Sequence, residues 1–289
     1  MSTFKKRRVD ITVTIGGGRF GESIQEVHTL IGHRVLVDIV QNGGLAQGQA
    51  TVRIYGVKLE LATKLTAIGT VMNQVRGKNL IQIDAGNDGE TLNTIFAGNI
   101  DSAYAELNSM PDAPVEIVAY SAQVLAVKPA EQTSYTGPVD ISKILTDLAS
   151  KMGLDLQLNG VGGISLSNPK FTGSLLEQLK SAVEAVNQIN FSIDNNILSV
   201  WNKGGGTTAP VTEISPATGM VGYPSFSSAG MVIKHLYLPF ARMGGYAHIS
   251  GSEIAAANGK WGIYTVAHEL DALTPNGRWF TTMAMQRAV

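Results

Sequence analysis

Thr218-Gly219-Met220-Val221-Gly222-Tyr223-Pro224-Ser225-Phe226 leads through Gly230 into Met231-Val232-Ile233-Lys234-His235-Leu236-Tyr237. Strand-forming residues alternate here with glycine and proline. After Pro239 the pattern continues: a Gly244-Gly245 turn, then Asn258-Gly259-Lys260-Trp261-Gly262-Ile263-Tyr264, then His268-Glu269-Leu270. It closes with Thr274-Pro275-Asn276-Gly277-Arg278-Trp279-Phe280-Thr281-Thr282. Turn residues at this spacing punctuate half-buried strands and predict a small closed β-barrel. Tyr223, Phe226, Tyr237, Phe240, Trp261, Tyr264, Trp279 and Phe280 crowd the section, as core or as subunit contacts.

Upstream, the chain changes character twice. Residues 1–127 read mainly as strands: Val9 to Ile15, Arg34 to Val40, Ala50 to Val57, Asn79 to Asp84, Thr94 to Ala103 and Val115 to Tyr120. No crossover helix separates the second and third runs, which predicts an antiparallel link through Gln41-Asn42-Gly43-Gly44. Leu61, Leu65 and Ile68 share one face of a helix from Leu59, ended by Gly69. Asn87-Asp88-Gly89 is a hairpin turn, because these residues tolerate positive φ.

Residues 128–205 form an α+β module. Asp140 caps a helix with Ile141, Ile144, Leu145, Leu148 and Met152 on its core face, closed by Gly153. Ser174 with Glu177 opens a second helix through a capping box, with Leu175, Leu176, Leu179, Val183 and Val186 inward. A hairpin follows, Ile189 to Ile193 and Ile197 to Trp201, turning at Asn195-Asn196. Lys203-Gly204-Gly205-Gly206-Thr207-Thr208 reads as a flexible connection. Residues 206–289 are the β-rich end.

The 289 residues carry a net charge of −1 and only 16% charged side chains, well below the usual quarter. A surface so poor in charge suits a subunit whose partners cover much of it. The balance argues against general nucleic-acid binding, which needs phosphate neutralisation. Lys5-Lys6-Arg7-Arg8 is the one basic cluster, read as a solvated flank or as contact with an acidic partner. Zero cysteines exclude a disulfide frame, a thiolate nucleophile and cysteine-held metal. This fits a reducing cytosol. With no leader-like apolar stretch and no run of about 18 apolar residues, the sequence predicts a soluble, unexported protein without membrane insertion.

Several motifs invite chemistry and fail on context. Gly16-Gly17-Gly18-Arg19-Phe20-Gly21 matches G-x-G-x-x-G, and Ile24, Val27 and Leu30 have helical spacing, with Asp38 at a ribose-contact distance. The segment ends at Gly32, however, and a loop, not a crossover helix, joins the next strands; a glycine turn is the plainer reading. His268-Glu269 begins H-E-x-x-H, but Ala272 occupies the second histidine's place, in a strand-like segment. His28, His33, His235 and His248 lack ligand spacing and are expected at surfaces or interfaces. Asp84, Asp88 and Glu90 suggest calcium with the wrong spacing for an EF-hand loop. The expectation is no catalytic residue, no cofactor and no metal.

Three stretches together resemble the baseplate hub proteins of contractile-tailed bacteriophages. These are Gly219 to Phe226 with Gly230 to Lys234; Asn258 to Trp261 through Leu270 with Trp279 to Thr282; and, in the first section, Ala50 to Val57 with Ile95 to Ile100. The order of sections is similar too, as it is in the hub part of type VI secretion spike proteins. The resemblance implies an α+β, mainly β fold: two tail-tube-like antiparallel β-barrels with a small α+β module between them. It implies a homotrimeric ring joining the sixfold tail tube to the threefold puncturing spike, with a channel for DNA ejection. Implied partners are the spike, the tail tube or tube initiator, the tape measure protein and the baseplate wedge. The implied location is the virion tail baseplate, assembled in the bacterial host cytoplasm. No fused lysozyme or peptidase pattern is visible, so any wall-degrading activity is expected on another protein. Two other classes are a wall-degrading tail enzyme and a monomeric carbohydrate-binding β module using exposed Trp261 or Trp279.

Overall fold

The computed structural model describes residues 5–16, 25–42, 46–66 and 79–288. The class is α+β and mainly β. In the first section β1 (Arg7–Gly16), β2 (Gln25–Leu30), β3 (Val35–Asn42) and β4 (Gln49–Tyr55) precede helix α1 (Leu59–Thr66). Then come β5 (Leu80–Asn87), β6 (Asn93–Ala105) and β7 (Pro114–Tyr120). Residue alternation decides which way each strand faces. β3 buries Val35, Val37 and Ile39 while exposing Asp38 and Val40, and it pairs antiparallel with β4. The turn after β5 carries Gly89 at φ 82°, as Asn87-Asp88-Gly89 predicts. Helix α1 buries Leu61, Ala62 and Leu65; Ile68 and Gly69 lie outside the described residues, as do Gly43 and Gly44. Val27 and Leu30 do not form a helix. Their segment is β2, paired antiparallel to β1 with Val27 opposite Thr14.

The middle section begins near the short helix α2 (Gln123–Val127), which the sequence reading missed. It continues through β8 (Thr133–Ser134), β9 (Pro138–Asp140), α3 (Ile141–Met152) and β10 (Asp155–Asn159). Next are β11 (Ser165–Ser167), β12 (Lys170–Phe171), α4 (Leu175–Val186), β13 (Ile189–Asp194) and β14 (Ile197–Asn202). Both helix starts follow the sequence. The Asp140 carboxylate accepts from Ser142 N at 2.8 Å, and Ser174 with Glu177 forms a complete capping box. Gly153 ends α3 at φ 70°. Asn195 and Asn196, at φ 47° and 65°, make the β13–β14 turn. β10, missed by the sequence reading, adds a parallel strand to β14. Helices and hairpin close over one core built on Ile144, Leu148, Leu179, Val183, Phe191 and Val200.

The third section holds β15 (Thr212–Ile214), β16 (Met220–Ser227), β17 (Gly230–Leu236), β18 (Tyr246–Ile249), β19 (Gly259–Ala272) and β20 (Trp279–Arg287). Its strands and those of the first section form one sheet, in the order β16-β17-β20-β19-β3-β4-β7-β6-β5-β1-β2. The 14-residue β19 is the hinge of this arrangement. One edge lies on β20. On the other edge Gly259–Gly262 pair with β18, and Thr265–Ala272 pair with β3. A register shift between Ile263 and Thr265 marks the change, consistent with the extra twist a bulge gives. The same strand therefore serves two cores: Trp261, Ile263 and Val266 pack in the third section's core, and Leu270 and Ala272 in the first's.

Neither β section closes its hydrogen-bond ladder among the described residues, so the expected pair of barrels is realised as two arcs of a shared sheet. Both arcs curl. β1 comes within 8 Å of β19 between Cα atoms, and Arg7 Nη1 donates to Gly277 O at 3.2 Å. In the third section a tight turn joins the arc's ends, Met220 N donating to Ser215 O at 3.1 Å. All seven strands of the first arc send side chains into one core, β2 through Leu30.

Candidate functional site

Two polar clusters fix how the sections sit, and one apolar surface is left over. The first cluster spans the seam between β3 and β19, where Asp38 and Glu269 lie directly opposite. Like charges so placed repel. Arg278 offsets this: Nη1 donates to Asp38 Oδ1 at 2.7 Å and to Glu269 Oε1 at 3.3 Å, while Nη2 donates to Asp271 Oδ1 at 3.0 Å. Asp271 and Asp38 hold the guanidinium well above its usual pKa. Lys234 Nζ donates to Glu269 Oε2 at 2.8 Å and sits 4.4 Å from the Phe280 ring centroid. Together the two cations keep the Glu269 carboxyl below the usual range, with the Lys234 hydrogen bond the larger cause.

The second cluster is a joint of all three sections. The Gln41 amide donates to Asp194 Oδ1 at 3.0 Å, and Arg242 Nη1 lies 3.3 Å from Asp194 Oδ2. Arg242 Nη2 and Asn195 Nδ2 both approach Thr94 O, at 3.4 and 3.3 Å. Burial pushes the Asp194 carboxyl up against the opposing pull of Arg242 and Gln41. The connection expected to be flexible is pinned beside this joint. Lys203 N donates to Gln188 O at 2.7 Å, Thr207 N to Gly244 O at 2.7 Å, and Thr208 N to Asn159 Oδ1 at 3.0 Å. At Gly206 a Cβ would fall 2.6 Å from Gly244 O, so the glycine lets the backbone come this close.

The aromatic residues of the third section divide between core and surface. Trp261 and Trp279 are buried, with Arg287 6.0 Å and Arg7 5.6 Å from their rings. They cannot serve as the exposed sugar platforms expected of a carbohydrate-binding module. Tyr223, Phe226 and Phe240 are 68%, 48% and 73% exposed. The first two lie on β16, which has a ladder partner on one side only among the described strands.

The remaining residues singled out in the sequence are dispersed. Gly16 ends β1, and Gly17, Gly18, Arg19, Phe20, Gly21 and Ile24 lie outside the described residues. His268 and Glu269 sit in a strand; His268 is fully buried, with Nδ1 3.0 Å from Thr281 Oγ1. His235, expected at a surface or an interface, is also buried within the chain, bonded to Thr218 Oγ1 and Leu236 O. His248 is exposed beside Glu213, His28 lies near Glu26, and His33 bonds Tyr55 O. Asp84 accepts from Thr94 and Gln82, while Asp88 lies near Lys6 and Arg8. Glu90 pairs with Lys5 and accepts from Asn87. Thus Lys5, Lys6 and Arg8 meet acidic partners within the chain, Asp10 included. Among the described residues no three His, Asp or Glu side chains are grouped to hold a metal ion. No described helix is long and apolar enough to cross a membrane.

A family model described as baseplate hub gp41 matches residues 8–283. No curated protein sequence matches the chain. Among solved structures, a tail protein from Neisseria meningitidis MC58 has a TM-score of 0.63 at 11% identity, with 96% of each chain covered. The 43 kDa tail protein of prophage MuSo2 from Shewanella oneidensis has a TM-score of 0.59 at 11% identity, covering 96% of this chain and 97% of its own. The E. coli c3393 protein is a type VI secretion component with structural similarity to the T4 bacteriophage tail proteins gp27 and gp5. It has a TM-score of 0.57 at 10% identity, with 88% of this chain and 73% of that chain covered. At such identities these likenesses show a shared fold.

Proposed function

The chain belongs to the baseplate hub gp41 family of phage tail structural proteins, and on that premise we propose that three copies form a ring joining the tail tube to the puncturing spike. The observation that carries this reading is the shared sheet: each chain presents two curled β arcs locked together through β19. Three chains then offer six arcs to a sixfold tube while keeping threefold symmetry for a spike. Such a ring needs head-to-tail contacts that close. The sheet ends in two different surfaces: β16, and β2 with exposed Val27 followed by exposed Ile31.

In this reading the protein works by shape, not catalysis. The ring leaves a channel for DNA, and a net charge of −1 suits a wall that DNA passes without binding. It acts in the virion tail, after assembly in the bacterial host cytoplasm. Its partners are the spike, the tube or its initiator, the tape measure protein and the baseplate wedge. The chain divides into units 1–127, 128–205 and 206–289, a division supported by its three cores, with the end of β19 and Trp279 lent to the first and Leu125 and Ala126 to the second. Electron microscopy of the protein bound to its spike tests the reading. Threefold particles with six peripheral lobes are expected; particles without threefold symmetry would overturn it.

A further inference from the structure

We propose that a cavity beside the three-way joint binds an amphiphilic carboxylate, meaning one carboxylate on an apolar stem. The cavity measures about 360 Å³ and lies between β3, β6 and the residues just after β7 in the first section, α4, β13 and β14 in the middle section, and residues 207–209 with Arg242 and Met243 of the third. Volumes of this order, at the meeting of folded units, are typical of small-ligand sites. Phe96, Leu176 and Phe191 supply apolar wall, and all three are buried. An apolar stem gains there from leaving water.

The polar lining selects the head group. Asp194 and Arg242 face each other at 3.3 Å and largely cancel. Lys180, on α4, lines the same cavity; among the described residues it makes no ion pair within 4.0 Å, and Glu177, whose carboxyl it helps lower, is held in the α4 capping box. Gln47 Nε2 is a buried donor with no hydrogen-bond acceptor among the described residues, and Arg242 Nη1 lacks a well-formed one. Two under-used donors and one unpaired cation call for an acceptor with negative charge, which a carboxylate provides. A cationic head group would instead meet Lys180, the cation left uncompensated once Asp194 and Arg242 cancel, and be repelled. The site stands apart from the ring reading, because it is formed within one chain.

The test uses the full-length protein with decanoate as probe, and decylamine and decanol as controls of equal stem length. Decanoate should raise Tm by several degrees and bind measurably by calorimetry, with decylamine giving neither effect. Lys180→Met should weaken decanoate binding about tenfold. Gln47→Leu should weaken it as well, from another element, which covers the case of a Lys180 variant that does not fold. No Tm shift with decanoate, an equal shift with decylamine, or unchanged binding by both variants would overturn the proposal.

Discussion

His268 shows how a residue that looks catalytic in sequence can serve packing. Its ring is buried against Thr281 and stands edge-on to Tyr237 at 5.9 Å, and burial pushes its pKa down to about 3. In the unfolded chain the ring charges below about 6.5. Unfolding therefore takes up a proton between those values: the stability is whole above pH 6.5 and falls as pH drops toward 3. At pH 4.5 the loss from this one group is about 2–3 kcal/mol. Denaturation of wild type and His268→Gln across pH 7.5 to 4.5 should show a flatter profile for the variant; parallel profiles would refute the assignment. Arg278 carries the second residue-level prediction. Arg278→Ala leaves Asp38, Glu269 and Asp271 clustered, costing roughly 1–2 kcal/mol at low salt and less at high salt, where repulsion is screened. Local chemistry of this kind was legible where it is local, as in the Ser174 capping box and the Asn195-Asn196 turn. The Arg278 cluster was not, because Asp38 lies 240 residues away in sequence.

At the scale of elements, periodicity located the two long helices and most long strands, since burial alternates along each. It passed over the strand Gln25–Leu30, where Val27 and Leu30 have helical spacing yet the segment pairs with β1. It also passed over β10, whose parallel partner β14 begins some forty residues later. Long-range pairing decides such short elements, and no local pattern records it. β19 is the element on which the two β sections depend, and Leu270 is its fully buried anchor in the first core. Leu270→Ala should cost about 2–5 kcal/mol, read from denaturant midpoints. Gly230 sets the β16–β17 hairpin on β20: at φ 130°, a Cβ there would lie 2.1 Å from Met285 O. Gly230→Ala should lose on the order of 1–3 kcal/mol from strain alone. Tyr223→Lys, at an exposed site of the same hairpin, should change monomer stability by less than about 0.5 kcal/mol while weakening ring assembly. Assembly equal to wild type would exclude this edge from the subunit contact.

For the whole molecule, the order of β-rich, mixed and β-rich sections was readable from composition and turns. The continuity of the sheet was not: it rests on β19 leaving β18 for β3, a pairing between chain segments more than two hundred residues apart. Charge-poor composition points to a partnered surface, and in the proposed ring β16 with exposed Tyr223 and Phe226 is part of it. In the proposed function this chain works as one of a ring of three. The most direct test is the light-scattering mass of the protein across concentrations, alone and with its spike. Three times 30.6 kDa, about 92 kDa, is expected for the hub component. One copy per particle at every concentration, with the spike bound, would contradict it.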